Sequence, residues 1–323
     1  MADSREETRR KDIKDSVIVI LGASSGFGRG AAEELGRQGA KLVLAARRED
    51  LLQEVEAGIR AEGGDAVAVP CDISKVDQVD QVTRAALQRF GRIDVWINNV
   101  GVGALGYFWD IPVDDQARVI DVNLKGLMYG AHAAITQFRE QGHGVLINVG
   151  SVDSEVPVAF QTTYAATKAG VLSISRSLNE ELRLSGDNDG IKVATIMPWA
   201  VDTPWWTHAA NYTGRQPRMA AMDDPDKVIQ AIVNACLDPE EEMPVGAKAR
   251  AADWSHHLFD DLTERMTANT AKREIDKAGP LPPTSGSIHR PMQEGRGVDG
   301  GIRERMKAED RGARANTATP PAS

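Results

Sequence analysis

Short apolar runs alternate with segments of helical periodicity along most of this chain, and this alternation restricts its possible folds more than any other feature. The run SVIVILG (16–22) is rich in β-branched residues and ends in glycine, which predicts a buried strand. The next segment, FGRGAAEELGRQGA, has helical spacing and a glycine at which a helix can end. Further strands are predicted in KLVLAA, DAVAVPCD, IDVWINN, GVLINVG and IKVATIMP, with a helical segment between successive strands. The alternation predicts βαβ units and a doubly wound parallel sheet of the α/β class.

The domain organisation follows from where this pattern begins and ends. We predict a charged leader over residues 1–14 and a single catalytic domain over 15–250, within which no linker interrupts the pattern. In 251–278 the residues Trp254, Leu258, Leu262 and Met266 recur at every fourth position, which predicts an amphipathic helical extension packed on the core or on another subunit. Residues 279–323 are rich in Gly, Pro, Ser and Thr, so we expect a tail that is extended over a surface or disordered.

Charge and cysteine content restrict the partners and the compartment. A net charge of -9 argues against nucleic acid, which is usually met by a basic surface. The two cysteines are far apart, which predicts neither a disulfide framework nor a metal site and favours a reducing compartment. No apolar run approaches the ~20 residues that a membrane helix needs, and the N-terminus lacks the apolar stretch of a signal peptide. We therefore predict a soluble, cytoplasmic protein that acts on a small molecule.

A glycine-rich turn joins the first predicted strand to the first predicted helix. The sequence LGASSGFGRG places Gly22, Gly26 and Gly28 in this turn. The pyrophosphate of a dinucleotide needs a sharp turn, a close backbone approach and free N–H groups at a helix N-terminus. Ser24 and Ser25 can add hydroxyl donors. The position of the glycines within a βαβ unit predicts a dinucleotide-binding loop.

The end of the second strand indicates which dinucleotide is bound. An NAD-preferring site usually carries an acid about 20 residues beyond the glycines, for the ribose 2′-hydroxyl. This chain has Arg47 and Arg48 there instead. A guanidinium group suits a 2′-phosphate, so we assign Arg47 to that group and interpret Arg48 as a solvated charge at a helix start. The predicted cofactor is NADP(H), in preference to NAD(H).

Several stretches together resemble the short-chain dehydrogenase/reductase family. GASSGFG is similar to its cofactor loop, CDIS to the segment after its third strand, and NNVG to its NNAG motif. DVNLKG resembles the segment that carries the family's catalytic asparagine, and Ser151, Tyr164 and Lys168 match its active-site serine and YxxxK motif. MPWAVDTP is similar to its PGxVxT segment, with Trp199 where glycine is usual. The resemblance covers about residues 15–250 and implies a Rossmann-type fold.

The resemblance also implies roles for individual residues. The implied catalytic residues are Asn123, Ser151, Tyr164 and Lys168, with Asn123 holding a water that links Lys168 to solvent. Asp72 would hold the adenine and Ile73 would line its pocket. The family further implies a homodimer or homotetramer formed through the helix of Tyr164 and its neighbour. The whole predicted cofactor-binding set is Gly22, Ser24, Ser25, Gly26, Phe27, Gly28, Arg47, Asp72, Ile73, Asn99, Val100, Gly101, Tyr164, Lys168, Pro198, Val201 and Thr203.

The spacing of Tyr164 and Lys168 suggests a mechanism of proton transfer. Tyrosine is a poor base near neutral pH because its reference pKa is ~10. A lysine one helical turn away lies on the same face and favours the phenolate. Tyr164 is then a candidate general acid in reduction and general base in oxidation. Ser151 would hydrogen-bond the substrate oxygen, and Lys168 would also bind the nicotinamide ribose.

Three stretches are predicted to face the substrate, namely 103–110, 152–160 and 204–214. Their aromatic residues favour a moderately apolar carbonyl or alcohol, although Trp205 and Trp206 could instead pack against the extension. Asp153 and Glu155 argue against a strongly anionic substrate. The candidate substrate residues are Val152, Asp153, Phe160, Trp199, Trp205 and Trp206.

Three functional hypotheses remain at this point. The first is an NADP(H)-dependent enzyme that interconverts a carbonyl and a secondary alcohol. The second is a catalytically silent, nucleotide-binding regulator on the same fold, with the tail as a docking segment. A nonredox lyase or epimerase is a more remote third. The complete set of four catalytic residues favours the first hypothesis over the second.

Overall fold

The computed structural model describes residues 12–258 and 260–318, with the side chains of 253, 254, 256–258, 260 and 313–318 left outside the description. Most of the charged leader therefore lies outside the described residues. The strands of the described part are β1 (Val17–Leu21), β2 (Lys41–Ala46), β3 (Asp65–Pro70), β4 (Val95–Asn98), β5 (Ala104–Leu105), β6 (Gly144–Val149), β7 (Ile191–Pro198), β8 (Ala210–Asn211) and β9 (Glu242–Val245). Its α-helices are α1 (Gly26–Arg37), α2 (Glu49–Ala61), α3 (Val76–Phe90), α4 (Val113–Ile120), α5 (Leu127–Gln141), α6 (Thr162–Ser185), α7 (Trp205–His208), α8 (Pro225–Ala235), α9 (Gly246–Leu258), α10 (Asp260–Lys277) and α11 (Ile302–Ala318).

Seven strands form one parallel sheet in the order β3-β2-β1-β4-β6-β7-β9. β1 and β4 are neighbours, and the chain runs outward from them in opposite directions along the sheet. At such a switch point the loops after the two strands diverge and leave a crevice at the carboxyl edge of the sheet. The loops after β1 and β4 begin at Gly22 and Asn99, so the predicted cofactor loop lies at this crevice.

Helices cover both faces of the sheet, and the side chains of β1 alternate between them. Ile18 and Ile20 belong to a core cluster that also contains side chains of α1, α2 and α8. Val19 and Leu21 belong to a second cluster with side chains of α3, α5 and α6. A strand buried on both faces accounts for the uninterrupted apolar run in the sequence. The prediction of a doubly wound α/β fold of the Rossmann type is confirmed.

The predicted long helical region from 113 to 140 is interrupted at its centre. A six-residue π-helix, Asp121–Gly126, joins α4 to α5 and carries the sequence DVNLKG. Gly126 lies against Ile73, where an added Cβ would come within 3.0 Å of three Ile73 atoms. π-Helical turns are rare and frequent at functional sites, and this one contains the candidate catalytic Asn123.

The extension is helical, as predicted, but its apolar stripe is not covered by this chain. Leu262 and Met266 in α10 are 57% and 61% exposed. The prediction that these two side chains pack on the core of the same chain is therefore wrong. Their packing against another subunit stays a prediction. The side chains of Trp254 and Leu258 lie outside the described residues.

The C-terminal tail is extended only over its first part. Residues 279–301 run along the domain without forming a helix or a ladder strand, and α11 follows. α11 was not predicted, because its sequence is charged and has few apolar side chains to mark a periodicity. Its first turn is stabilised by a distant carboxylate, since Asp202 accepts hydrogen bonds from the backbone N–H groups of Ile302 (2.8 Å) and Arg303 (2.9 Å). Among the helices of the described residues, none is both long and apolar enough to cross a membrane.

Candidate active site

The glycine turn has the backbone conformation that its sequence predicts. Gly22 and Gly26 have φ values of +94° and +55°, which L-residues with side chains rarely adopt. Gly28 lies beneath the turn, where an added Cβ would overlap the carbonyl oxygen of Gly22. Asn99 at the end of β4 donates a hydrogen bond from Nδ2 to that same oxygen at 3.2 Å. The turn is therefore held against the β4 loop by backbone contacts that leave no room for a side chain.

One cavity at the carboxyl edge of the sheet contains nearly all of the predicted site residues. Of the predicted cofactor-binding residues, Gly28 alone does not line it, because it packs beneath the turn. Three of the four predicted catalytic residues line the same cavity, and the fourth, Asn123, lies behind its wall. The predicted residues in the lining are Gly22, Ser24, Ser25, Gly26, Phe27, Arg47, Asp72, Ile73, Asn99, Val100, Gly101, Ser151, Tyr164, Lys168, Pro198, Val201 and Thr203.

A buried polar network joins α6, which carries Tyr164 and Lys168, to the centre of the sheet. Trp96 Nε1 donates to Asn98 Oδ1 (2.8 Å), Asn98 Nδ2 donates to Asn148 Oδ1 (2.8 Å), and Asn148 Nδ2 donates to Ser175 Oγ (3.0 Å). Each of these four residues is 3% exposed or less. Because every described member has a partner, the network specifies how α6 is placed on β4 and β6.

Tyr164, Ser151 and Lys168 converge at the inner end of the cavity. Ser151 follows β6, and its Oγ accepts a hydrogen bond from the backbone N–H of Asp153 at 3.1 Å. The hydroxyl groups of Ser151 and Tyr164 lie close enough for Ser151 to lower the pKa of the phenol as a hydrogen-bonding neighbour. Lys168 is 3% exposed, its Nζ donates to the Val149 carbonyl at 2.7 Å, and this Nζ lies 5.6 Å from the centroid of the Tyr164 ring.

Burial dominates the protonation of this cluster. It raises the pKa of Tyr164 well above its ordinary value, an effect that the nearby Asp153 increases and the hydrogen bond with Ser151 opposes. The pKa of Lys168 is lowered to about 8 by burial, against the attraction of Asp153. Burial also raises the pKa of Asp153 to about 7, against the attraction of Lys168. Burial thus moves the pKa of Tyr164 in the direction opposite to the one predicted from Lys168, and the role of Tyr164 in proton transfer stays a prediction.

Asn123 serves as a brace in the wall of the cavity. Its Oδ1 accepts from the Val102 N–H and its Nδ2 donates to the Val102 carbonyl, both at 2.8 Å. Nδ2 also reaches Thr167 Oγ1 on α6 at 3.2 Å. The side chain therefore joins the π-helix, the β4 loop and α6. Its predicted role in holding a water beside Lys168 stays a prediction.

The two arginines after β2 both turn toward the cavity. Arg47 donates to the carbonyl oxygens of Ser287 (2.6 Å) and Ile288 (3.2 Å) in the tail. Arg48 is half-buried and donates from Nη2 to Ser25 Oγ at 2.7 Å. The interpretation of Arg48 as a solvated charge is therefore wrong, because it contacts the glycine turn itself.

Asp72, the predicted adenine residue, is held by a side chain that the sequence did not single out. Arg118 of α4 donates to Asp72 Oδ2 at 2.7 Å and to Ser74 Oγ at 2.6 Å. These contacts fix the segment after β3 at the rim of the cavity. Arg118 lies 46 positions from Asp72, so no local spacing could have indicated the pair.

The predicted substrate residues divide into two groups. Val152, Asp153, Trp199, Trp205 and Trp206 line the cavity. Phe160 is absent from the lining and instead packs edge-on against Tyr107, with ring centroids 5.0 Å apart. Its placement in the substrate wall is therefore not supported by the geometry.

The adjacent tryptophans Trp205 and Trp206 have different surroundings. The Trp205 ring lies 5.1 Å from that of Tyr164, and its Nε1 is buried without a hydrogen-bond partner among the described residues. Trp206 donates from Nε1 to the Val201 carbonyl at 2.9 Å and packs in a cluster with Ala271 and Ile302 of the C-terminal segments. Both tryptophans thus line the cavity and also pack on the cluster that contains Ala271 and Ile302, and their contact with substrate stays a prediction.

Further residues of the cavity were missed by sequence reasoning. Apart from Arg48 and Gln161, they come from the segment after Trp206 and from the tail, which carry no recognisable motif in the sequence. No pattern in the sequence indicates that these residues lie close to the glycine turn. Beyond Arg48 they include Gln161, His208, Met219, Ser287, Pro291 and Met292.

Comparisons with known proteins agree with this geometry. The sequence profile of the short chain dehydrogenase family matches residues 16–212. The uncharacterised oxidoreductase YxnA of Bacillus subtilis is 36% identical over 265 residues, which cover 81% of this chain and 74% of YxnA.

Solved structures match as well. A short-chain dehydrogenase/reductase from Burkholderia phymatum in complex with NAD is similar with a TM-score of 0.70 and 25% identity, covering 85% of this chain and 100% of that one. An alcohol dehydrogenase from Thermococcus sibiricus complexed with 5-hydroxy-NADP has a TM-score of 0.61 and 26% identity, covering 71% of this chain and 94% of the other. The chain belongs to the short-chain dehydrogenase/reductase family of oxidoreductases.

Proposed function

We propose that this chain is an NADP(H)-dependent oxidoreductase that interconverts a carbonyl and a secondary alcohol on a moderately apolar small molecule. The observation that carries the proposal is the position of Tyr164, which lies beside Ser151 in the cavity that the glycine turn opens. A proton donor and a dinucleotide loop in one cavity are what reduction of a carbonyl requires.

The residues at the glycine turn fit a dinucleotide. Side chains are excluded where the backbone must approach a pyrophosphate, and the described residues supply no acceptor for the backbone N–H groups of Phe27 and Gly28. Arg47, Asp72 and Ile73 would hold the adenosine half, and Lys168 with the Val201–Thr203 segment would hold the nicotinamide half. The bound cofactor would supply hydride chemistry, which protein side chains lack.

The protein's own contribution is to place and protonate the substrate oxygen. Ser151 and Tyr164 offer two hydroxyl donors to one oxygen, which stabilises the charge that develops on it during reduction. Because burial raises the pKa of Tyr164, the phenol keeps its proton at neutral pH and can donate it. This protonation state favours carbonyl reduction over alcohol oxidation at neutral pH. Trp205 covers the phenol and excludes water from it.

Arg47 supports the preference for NADP(H). It lies in the cavity at the end of β2, and two hydrogen bonds to tail carbonyls leave other donors of its guanidinium group available. The similar structures contain NAD in one case and an NADP derivative in another, so the preference rests on this side chain. Titration with NADPH and NADH, followed by fluorescence, should give tighter binding of NADPH, and Arg47→Asp should weaken it. Tighter binding of NADH, together with an Arg47→Asp variant that binds NADPH as before, would refute the assignment.

The enzymatic proposal is tested with Tyr164→Phe. A panel of apolar ketones and aldehydes is offered with NADPH, and loss of NADPH absorbance is recorded for both proteins. We expect turnover in the wild type and a loss of at least about 100-fold in Tyr164→Phe, since a positioned acid contributes about 10²–10⁴. NADPH binding should survive in the variant. A wild type that binds NADPH but oxidises none of it would favour the silent regulator, and substantial turnover by Tyr164→Phe would break the assignment of the acid.

Several large apolar side chains are exposed on the surface of the described chain. Ile120 and Met128, on either side of the π-helix, are 41% and 46% exposed, and Leu262 and Met266 of α10 are 57% and 61% exposed. Large exposed apolar side chains support a homodimer or homotetramer. Cys71 and Cys236 are both buried as thiols, which is consistent with the proposed cytoplasmic location. Light scattering coupled to gel filtration would test the assembly, and a monomer would exclude it.

A further inference from the structure

The tail passes over the cofactor cavity between two points of attachment. Before the crossing, Thr284 and Asn211 of β8 exchange backbone hydrogen bonds at 2.7 and 3.0 Å, and Ser287 N–H donates to the His208 carbonyl at 2.7 Å. After the crossing, the Asp202 carboxylate accepts hydrogen bonds from the first backbone N–H groups of α11. We call residues 285–297, which follow Thr284 and lead toward α11, the strap.

Three arginines, two of them after β2 and one on α4, hold the strap by its carbonyl groups. Arg47 contacts Ser287 and Ile288, and Arg118 donates to the Ile288 carbonyl at 3.1 Å. Arg48 lies within 3.4 Å of strap carbonyl oxygens at Met292, Glu294 and Gly295. These are the arginines at the predicted adenosine end of the site. The strap thus lies over that half of the cavity.

The far end of the strap reaches the glycine turn. The Gly26 N–H donates to the Gly297 carbonyl at 3.0 Å, and His208 Nε2 lies 2.9 Å from the Glu294 carbonyl oxygen. The neighbouring N–H groups of Phe27 and Gly28 have no acceptor among the residues that the structure describes. The strap contacts the edge of the turn and leaves the amides suited to a pyrophosphate free.

The strap covers the cavity and does not fill it. Ser287, Pro291 and Met292 line the same cavity as the glycine turn, Arg47 and Tyr164. Space therefore remains between the strap and the turn while all of these hydrogen bonds are in place. A segment that occupied the cofactor position would instead have closed this space.

We propose that the strap is the outer wall of the dinucleotide site, so that NADP(H) is held between it and the glycine turn and leaves only when the strap lifts. The identity of the ligand rests on the proposed function. The predicted nicotinamide end, at Tyr164 and Trp205, lies outside the strap contacts, so substrate can exchange there without strap movement. Cofactor release then becomes a slow, separate step.

Two strap glycines allow the proposal to be tested in the full-length chain. Gly286 has φ +52°, and an added Cβ would overlap the backbone carbonyl oxygens of His208 and Ala209. Gly295 has φ +65°, and an added Cβ would lie 2.8 Å from Pro204 Cβ. Gly286→Ala and Gly295→Ala should each loosen the strap without changing a group that contacts the substrate. Gly279→Ala is the matched control, because its nearest atom would be 3.8 Å away and its φ is not in the left-handed region.

Stopped-flow fluorescence measures the rate at which NADPH leaves each protein. We expect dissociation about tenfold faster in Gly286→Ala and Gly295→Ala, with Gly279→Ala within about twofold of wild type, since changes at an interface act mainly on dissociation. Dissociation rates within twofold of wild type in both variants would overturn the proposal. Tighter NADPH binding in the variants would also overturn it, because the strap would then compete with the cofactor.

Hydrogen exchange on the wild type provides a second measurement that needs no variant to fold. Saturation with NADPH should slow exchange of the strap amides at least as strongly as that of the glycine turn. Unchanged or faster exchange in the strap would contradict the proposal. A wild type that binds NADPH but reduces no carbonyl would refute the proposed function and leave both strap measurements valid, whereas a wild type that binds no dinucleotide would overturn both.

Discussion

Replacing Asp153 by asparagine removes one charge beside Tyr164 with almost no change in volume. Asp153 lies two residues after Ser151, is 8% exposed and lines the cavity. Its carboxylate raises the pKa of Tyr164, second to burial, and raises that of Lys168 against burial. In Asp153→Asn the phenolate loses a repulsive neighbour and the ammonium loses an attractive one. Both pKa values should therefore fall.

The size of the shift follows from the ionisation of Asp153. A charge within about 4–6 Å moves a neighbouring pKa by about 1–3 units. The pKa of Asp153 is itself raised to about 7, so the carboxyl group is charged at the alkaline pH at which the phenol titrates. Because burial is the main cause of the raised pKa of Tyr164 and Asp153 only the second, we expect the smallest of these shifts, about one unit, which corresponds to about 1.4 kcal/mol or tenfold in the phenolate population.

The assay is the pH dependence of kcat/KM for oxidation of a secondary alcohol, which needs the phenolate. In Asp153→Asn, the pH at which kcat/KM rises to half of its maximum should be about one unit lower than in the wild type. At a pH below the midpoints of both proteins, kcat/KM of the variant should therefore be about tenfold higher. Carbonyl reduction at pH 7 should change little, because Tyr164 is protonated in both proteins. The control is Glu155→Gln, since Glu155 is paired with Arg176 outside the cavity and should leave the midpoint in place. A midpoint that stays in place in Asp153→Asn, or moves to higher pH, would refute the electrostatic argument.

Two further substitutions test the turn and the extension. Gly28→Ala should weaken NADPH binding at least about tenfold in a fluorescence titration, because the added Cβ would overlap the Gly22 carbonyl and displace the turn. The control Gly58→Ala, which has open space around the added Cβ, should bind NADPH as the wild type does. Equal affinities in the two variants would contradict the argument from close packing. Arg218→Met should lower the free energy of unfolding by about 3–5 kcal/mol in urea, because Arg218 is 4% exposed and bridges three carboxylates, those of Glu274, Glu309 and Asp310, of which Glu274 keeps a second cation, Lys277; a loss below about 1 kcal/mol would show that this cluster is dispensable.

Local features of the chain were sufficient to predict the sheet and most of the site. The parallel sheet follows from the alternation of strands and helices, and the glycine turn follows from positions that need a positive φ or a close approach. Tyr164 and Lys168 lie one helical turn apart, so their proximity is a property of α6 alone. Such features could be inferred because each depends on residues within a few positions of one another.

Properties that depend on distant neighbours were missed or predicted wrongly. The side chain of Arg48 lies on Ser25, 23 positions away, and so it is half-buried where its sequence suggested a solvated charge. Phe160 lies in a predicted substrate stretch but turns toward Tyr107. The pKa of Tyr164 is raised and not lowered, because burial in the folded cavity outweighs the charge of a neighbour one turn away.

The sequence by itself determined the doubly wound sheet through its periodicity, and the family through the resemblance of its motifs. It also indicated Ser151, Tyr164 and Lys168 as one cluster, because the last two lie one helical turn apart and the three together match the motifs of that family. Tertiary structure alone decided that the tail crosses the cofactor cavity, where Arg47 meets Ser287, 240 positions along the chain. The physical reason is that the strap is held by its backbone carbonyl groups. Every residue has such a carbonyl, so no side-chain pattern in the sequence could mark the ones that the arginines bind.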